Sequence, residues 1–280
     1  GAAFDASFLL AKTEDTTQEV QAEEVQFVAG LEWIEVGGAD LATSSLGYID
    51  WYTPADLDGQ TAVTTIAVNV ATQNGLVCVN AAGNGGNDAD PATLRLIAPA
   101  DAFEVLSCGA VDSAGLTAFF SSDGPSFDGR VKPEVLARGL DTNTVSATSD
   151  SALAAVSGTS LSTPLVAGAT ALIIQAHPNW TVDRIRRALF HTADRFSVDG
   201  TFDPLFIRGY GIIDVWAAIN FVHGDIDGDG TADGDDVEPF VRALLDVNPN
   251  TDQVRRSDVN ADGAVTVDDV SIFVNDLLGV

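Results

Sequence analysis

Leu76-Val77-Cys78-Val79-Asn80-Ala81-Ala82-Gly83-Asn84 decides how this 280-residue chain folds. Its first five residues form a short apolar run bounded by turn signals, as a strand buried on both faces requires. Upstream, residues 61–73 carry Ala62, Ile66 and Val70 at helical spacing, and Asn74-Gly75 supplies the stop. Further back, Leu41 to Leu46 reads as a second strand and Ala22 to Val36 as a helix, through Val25, Val28, Ala29, Trp33 and Val36. Ala6 to Lys12 reads as one more strand. Strand, helix, strand, helix, strand predicts an α/β domain built on a parallel sheet, with its functional loops at the carboxyl ends of the strands. Those ends are Ser45-Leu46-Gly47 and Ala82-Gly83-Asn84.

The composition narrows the possible partners. Thirteen Lys and Arg against 41 Asp and Glu give a net charge of −28, a field that repels phosphate backbones and anionic lipid. No nucleic-acid partner is expected. No uninterrupted apolar run approaches the ~18 residues of a membrane helix, so no membrane insertion is expected either. The chain contains no Met, and its first residues lack the charged and apolar regions of a signal peptide. An internal fragment or a processed form is the expectation. Cys78 and Cys108 each sit in an apolar, strand-like run, where a small buried hydrophobe is the plain reading; whether they pair depends on strand register.

The strongest chemical signal is Ser157-Gly158-Thr159-Ser160-Leu161-Ser162-Thr163-Pro164, which runs into the apolar helix Leu165 to Ala176. A turn of small residues carries Ser160 to a helix N-terminus, where backbone amides and the positive end of the dipole converge. That environment suits a nucleophile next to an oxyanion. The competing reading is that Ser160 or Ser162 merely caps the helix.

With these residues in view, the chain resembles a subtilisin-like serine protease (subtilase) catalytic domain from Gly1 to Phe221. Gly158-Thr159-Ser160 with Pro164 is similar to the family's G-T-S-x-x-x-P, and the resemblance implies Ser160 as nucleophile. Ala81-Ala82-Gly83-Asn84 resembles A-A-G-N, which implies that the Asn84 side chain donates to the oxyanion. Ser45, Leu46 and Gly47 resemble the S-L-G segment that pairs with substrate backbone, and Ala82 and Gly83 are implied beside it. Phe120 to Pro125, Lys132 to Val135 and Gly209 to Asp214 are similar to later landmarks. Leu161, Ser162 and Arg138 depart from the usual Met, Ala and Pro without removing a catalytic atom.

Acyl transfer also needs a base and an orienting carboxylate. The family carries these in D-[ST]-G and H-G-T-H segments, and Gly1 to Ala6 resembles a stretch that follows that histidine. The catalytic Asp and His are therefore expected upstream of these 280 residues. His177 and His191 read as helix-end residues, and His223 sits at a boundary; none has a triad context.

Acid is concentrated in the last 56 residues, which hold 14 acidic and 3 basic side chains against 27 and 10 in residues 1–224. With the change to Asp-Gly-rich sequence after Val222, this predicts a protease-like domain over 1–223 and a separate module over 224–280. The module repeats itself at an offset of 33 residues. Asp225, Asp227, Asp229, Asp233 and Asp236 stand at positions 1, 3, 5, 9 and 12 of a twelve-residue Ca2+ loop, with Gly230 at position 6 and the Thr231 carbonyl at 7. Asp258, Asn260, Asp262, Thr266 and Asp269 repeat the pattern with Gly263 and the Ala264 carbonyl. Helices are expected at Val237 to Leu245 and Val270 to Leu278.

The duplicated loop-helix unit resembles a type I dockerin, which implies a cohesin-like docking partner. Gly234-Asp235 and Val267-Asp268, at the recognition positions, differ from that family's usual pairs and from each other. A calcium-stapled stability module is the alternative, since so small and acidic a unit has little core. The combined expectation is an extracellular, calcium-binding serine endopeptidase acting on protein or peptide substrates. Its rival is a non-catalytic scaffold or adhesion protein on a degenerate protease fold.

Overall fold

The computed structural model describes residues 2–15, 17–149 and 151–279. Among the described residues there are seven strands, five of them consecutive in the chain with no helix between them. They are β1 (Leu41–Ser44), β2 (Val77–Ala81), β3 (Leu106–Val111), β4 (Val135–Arg138), β5 (Thr142–Val145), β6 (Leu153–Val156) and β7 (Gly211–Ile212). The helices are α1 (Ala22–Val36), α2 (Val63–Gln73), α3 (Thr159–Ala176), α4 (Val182–Thr192), α5 (Phe196–Asp199), α6 (Val215–Ile219), α7 (Val237–Leu244), α8 (Thr251–Ser257) and α9 (Asp268–Leu278). β1-β2-β3-β4-β7 form one sheet in that order, every pairing parallel, while β5 and β6 make an antiparallel hairpin.

Side chains of period two on the central strands divide the core between the two sheet faces. On one face Leu76 and Cys78 pack with Phe27 and Leu31 of α1 and Val68 and Ala71 of α2. On the other, Val77, Val79, Leu106 and Cys108 pack with Val166 and Ile173 of α3 and Ile185 and Leu189 of α4. Helix, sheet and helix make three layers. The alternation also settles the cysteines. Cys78 and Cys108 point to opposite faces and are both free and buried. Burial pushes the Cys78 thiol up to about 12.

Two buried carboxylates explain why the loops around α1 are fixed. Glu23 accepts the N–H groups of Asp15 and Val20, and Glu24 accepts Trp51 Nε1 (2.8 Å) and Tyr52 OH (2.7 Å).

Two sequence expectations are corrected. Ala6 to Lys12 is not a strand: it has no ladder partner among the described residues, and Phe8 and Leu10 are 71% and 84% exposed. Apolar composition does not make a strand unless a neighbour accepts its backbone hydrogen bonds. The apolar helix α3 begins at Thr159, not Leu165, so Ser160 lies within its first turn. That helix is 18 residues long and apolar enough by length and composition to cross a membrane. In the fold it is the central helix, with Val166 and Ile173 fully buried in the core.

Beyond His223, Ile226, Phe240, Val259 and Phe273 form a small core of their own, with the Phe240 and Phe273 rings stacked at 4.1 Å. This segment also packs on α4. Arg187 Nη1 and Nη2 donate to the two carboxylate oxygens of Asp276 at 2.8 and 3.0 Å, with both side chains buried. Tyr210 OH donates to the Ala261 carbonyl (2.8 Å), and Ala261 is part of the main core.

Candidate active site

β1 and β2 are neighbours in register, Ser44 opposite Asn80, so the segments leaving their carboxyl ends emerge side by side. Asn80 Nδ2 donates to the Leu46 carbonyl (3.3 Å), tying the two exits together. The start of α3 closes over both. Ser45 Oγ donates to the Ser160 carbonyl (2.9 Å), and Ser160 Oγ lies 3.4 Å from the Ser45 carbonyl. Thr159 N–H donates to Asn84 Oδ1 (2.9 Å), and Thr159 Oγ1 reaches both Asn84 Oδ1 (3.1 Å) and the Gly83 carbonyl (3.2 Å). Ser160, Asn84, Ser45 and Gly83 are thus brought together from positions far apart in sequence.

Two details bear on chemistry. Two donors on Asn84 Oδ1 fix the amide's orientation and leave Nδ2 as its donor end. Asn84 is exposed and Ser160 half-buried, so both side chains are open to solvent. The capping alternative does not hold for either serine. Ser162 Oγ donates back to the Thr159 carbonyl (2.9 Å), and α3 has no side-chain cap at its first turn. Sequence reasoning did not single out Thr159 as the residue that orients Asn84, although it lies inside the G-T-S motif.

None of the three histidines stands at this site. His177 ends α3, 17 residues from Ser160 and hence ~25 Å along the helix axis. Its Nε2 donates to the Ile219 carbonyl (2.7 Å), and its ring stacks on Trp180 at 3.8 Å. His191 is buried on α4 with Nε2 3.4 Å from the Val259 carbonyl; burial pushes it down to about 3. His223 packs edge-on against Trp180 and Phe221, and burial depresses it as well. His191 and His223 sit where the acidic segment meets α4, and His177 lies against α6.

The two acidic loops follow the same path. Gly230 and Gly263 both have φ of 94°, and Gly228 and Ala261, 33 residues apart, both take positive φ. Asp225 Oδ2 accepts Gly230 N–H (3.2 Å) as Asp258 Oδ2 accepts Gly263 N–H (2.9 Å). Asp225, Asp227 and Asp229 bring carboxylate oxygens within 4.8 Å of one another, a hard, all-oxygen donor set. In the second loop, burial together with the Asp269 and Asp262 carboxylates pushes Asp258 up to about 7. The position-12 residues turn to their own backbones. Asp236 accepts the N–H groups of Ile226, Asp227 and Asp233, and Asp269 those of Asn260 and Thr266. Thr231 bonds Asp229 and Asp233 caps the Asp235 N–H, while Ala264 N–H donates to Asp262.

An accessible serine on the first turn of a central helix, above the carboxyl edge of a parallel sheet and with an oriented amide beside it, is an arrangement that can serve acyl transfer. Comparison with known proteins bears on the family. The Subtilase family model matches residues 1–211. Subtilisin E of Bacillus subtilis (strain 168) is 34% identical over 218 residues, covering 78% of this chain and 50% of its own length. A subtilisin of Bacillus pumilus is 33% identical over 218 residues, covering 78% and 70%. Among solved structures, the self-cleaved protease domain of PatA superposes with a TM-score of 0.57 at 25% identity, over 74% of this chain and 69% of that one. The chain belongs to the subtilase family. It spans about half the length of several of the curated relatives it matches.

Proposed function

We propose that this chain carries the nucleophile and oxyanion side of a serine endopeptidase, acting on protein or peptide substrates through an acyl-enzyme on Ser160. The observation that carries the reading is the pair of donors from Thr159 to Asn84 Oδ1, which aims the Asn84 amino group while Ser160 stays accessible. Ser160 Oγ attacks the peptide carbonyl, and Asn84 Nδ2 and the amides of the first α3 turn receive the developing oxyanion. Ser45, Leu46 and Gly47 hold one side of the substrate chain, and Ala82 and Gly83 the other. Since all three histidines are engaged elsewhere, the base and its orienting carboxylate come from the D-[ST]-G and H-G-T-H segments of the family pattern, upstream of the matched stretch.

We further propose that residues 224–280 form a second, calcium-binding domain of dockerin type, after the protease domain of 1–223. Asp225, Asp227 and Asp229 suit a hard cation by their chemistry, and the repeated backbone path extends the fit to Asp258, Asn260 and Asp262. Bound there, calcium supplies charge neutralisation and a rigid loop, not catalysis. Its abundance outside cells supports an extracellular location, with a cohesin-like receptor as the candidate docking partner.

The test is labelling of the full-length protein with a fluorophosphonate probe, which reacts quickly only with a base-activated serine. Labelling that Ser160→Ala abolishes is the expected result. A protein that never labels overturns the protease reading and favours the scaffold; a label that survives the substitution places the nucleophile elsewhere.

A further inference from the structure

Asn84 is held at two levels. Thr159 fixes its side-chain amide, and a second residue fixes the backbone from which that side chain springs. Ser122 N–H donates to the Gly83 carbonyl (3.0 Å), and Ser122 Oγ accepts the Gly85 N–H (2.9 Å). Those groups belong to the two peptide units on either side of the Asn84 α-carbon, so one residue restrains both φ and ψ there. Gly83 admits the approach: its φ is 118°, and a β-carbon on it would lie 2.7 Å from Ser122 Oγ. Ser122 is fully buried, and its segment is anchored to β3. Ala118 N–H donates to the Ala110 carbonyl (2.8 Å), and Ser121 Oγ accepts the Ala110 N–H (3.0 Å). The loop beyond Gly85 is held without Ser122 Oγ. Gly86 N–H reaches the Phe120 carbonyl (2.9 Å), Asn87 Nδ2 the Ala118 and Ser121 carbonyls (2.9 and 3.1 Å), and Asp88 N–H the Asp123 Oδ2 (2.7 Å).

From this geometry we infer that Ser122 is a positioning residue for acyl transfer: it aims the Cα–Cβ bond of Asn84, and with it the oxyanion donor, from outside the segments that carry the nucleophile and the assigned substrate residues. The inference rests on the protease reading of Ser160 and Asn84. An oxyanion donor is effective only when it is preorganised, because the charge it meets exists only in the transition state. Asn84 stands in an exposed turn between Gly83 and Gly85, and a glycine-flanked backbone left to itself samples many directions. Thr159 restrains the tip of the side chain and not its base. A clasp that only held the loop down would be redundant, since the bonds of Gly86, Asn87 and Asp88 keep it against residues 118–123. Gly85 is exposed, so its N–H finds water when Ser122 Oγ is removed, and the loss falls on the aim of Asn84 more than on folding.

The experiment is a double-mutant cycle on turnover of a peptide anilide by the full-length enzyme. Ser122→Ala is expected to lower kcat about tenfold, within the ~10²–10³ assigned to the Asn84 donor, and to change KM by less than about twofold. In an Asn84→Ala background the same change is expected to cost nothing further, since Ser122 acts only through Asn84. Ser122→Cys keeps a weaker acceptor and is expected to fall between serine and alanine; it carries the cycle if the alanine variant folds poorly. Asn87→Ala, which loosens the same loop without touching the peptide units of Asn84, is expected to leave kcat unchanged. An unchanged kcat in Ser122→Ala, a rise in KM alone, an equal loss in Asn87→Ala, or the same fractional loss with and without Asn84 overturns the positioning role while leaving the protease reading intact. No turnover by the parent together with no fluorophosphonate labelling overturns the protease reading itself, and the role of Ser122 with it.

Discussion

The hydroxyl of Ser45 donates to the carbonyl of Ser160 over 2.9 Å, and that carbonyl is free because Pro164, four residues later, has no N–H to give it. An alanine at position 164 would complete the helical bond and compete with Ser45. The proline of the motif thus frees the acceptor that docks the end of β1 onto the first turn of α3.

Ser45→Ala removes one net hydrogen bond, worth about 1 kcal/mol, and is expected to slow fluorophosphonate labelling of Ser160 roughly fivefold. Pro164→Ala is expected to slow it in the same direction while raising thermal stability slightly. Labelling unaffected by either change would mean that the Ser45–Ser160 contact does not position the nucleophile.

Asn84→Ala deletes the oriented amide. A loss of ~10²–10³ in kcat with little change in KM is expected, because the donor acts on charge that develops only in the transition state. Thr159→Val, which removes the hydroxyl donor to Asn84 Oδ1 and keeps the backbone one, should cost less. A pure KM effect in Asn84→Ala would assign Asn84 to ground-state binding instead.

His191 is neutral in the fold because burial holds it at about 3, against an ordinary value near 6.5. Between those values the unfolded chain binds a proton that the folded chain refuses. Stability contributed by this group is full above pH 6.5 and falls as pH drops toward 3, by up to about 1.4 kcal/mol per pH unit. Urea midpoints at pH 7, 5.5 and 4 check this against His191→Phe, whose acid slope should be shallower. Parallel slopes for the two proteins would remove His191 as the cause.

Asp276 is paired with Arg187 at the seam between α4 and the acidic segment, both side chains being buried. Asp276→Ala leaves a buried guanidinium without its main partner and is expected to cost about 3–5 kcal/mol. Replacing both residues, as Arg187→Met with Asp276→Leu, should recover most of that loss. Denaturant unfolding of the single and double variants reads the difference; additive losses would show that the pair is not coupled.

Calcium removal is the remaining test of the acidic loops. Chelation is expected to lower helicity and to open residues 225–279 to proteolysis, since Asp225, Asp227 and Asp229 would then repel one another without relief. Equal circular dichroism spectra with and without calcium would sink the metal assignment.

Much of this was legible in the chain because it is local. The run ending in Ala81-Ala82-Gly83-Asn84 reads as a strand feeding a loop, and α1 occupies the residues its periodicity assigns. The loop repeat is legible for the same reason, since cation ligands must alternate with spacers along one short segment. Ala6 to Lys12 misled because its apolar pattern is strand-like, whereas a strand exists only where a second chain segment accepts its hydrogen bonds.

What the sequence by itself determined, then, is the pairing of β1 and β2 with helices α1 and α2, the G-T-S motif and the acidic loops, each written in a few adjacent residues. The tertiary structure alone decided that Thr159 orients Asn84 and that His177, His191 and His223 all lie away from Ser160. It also decided that Ser122 brackets Asn84 through Gly83 and Gly85. Each of these depends on which strand ends emerge side by side, and parallel pairing sets that across separations of tens of residues, beyond the reach of any local pattern.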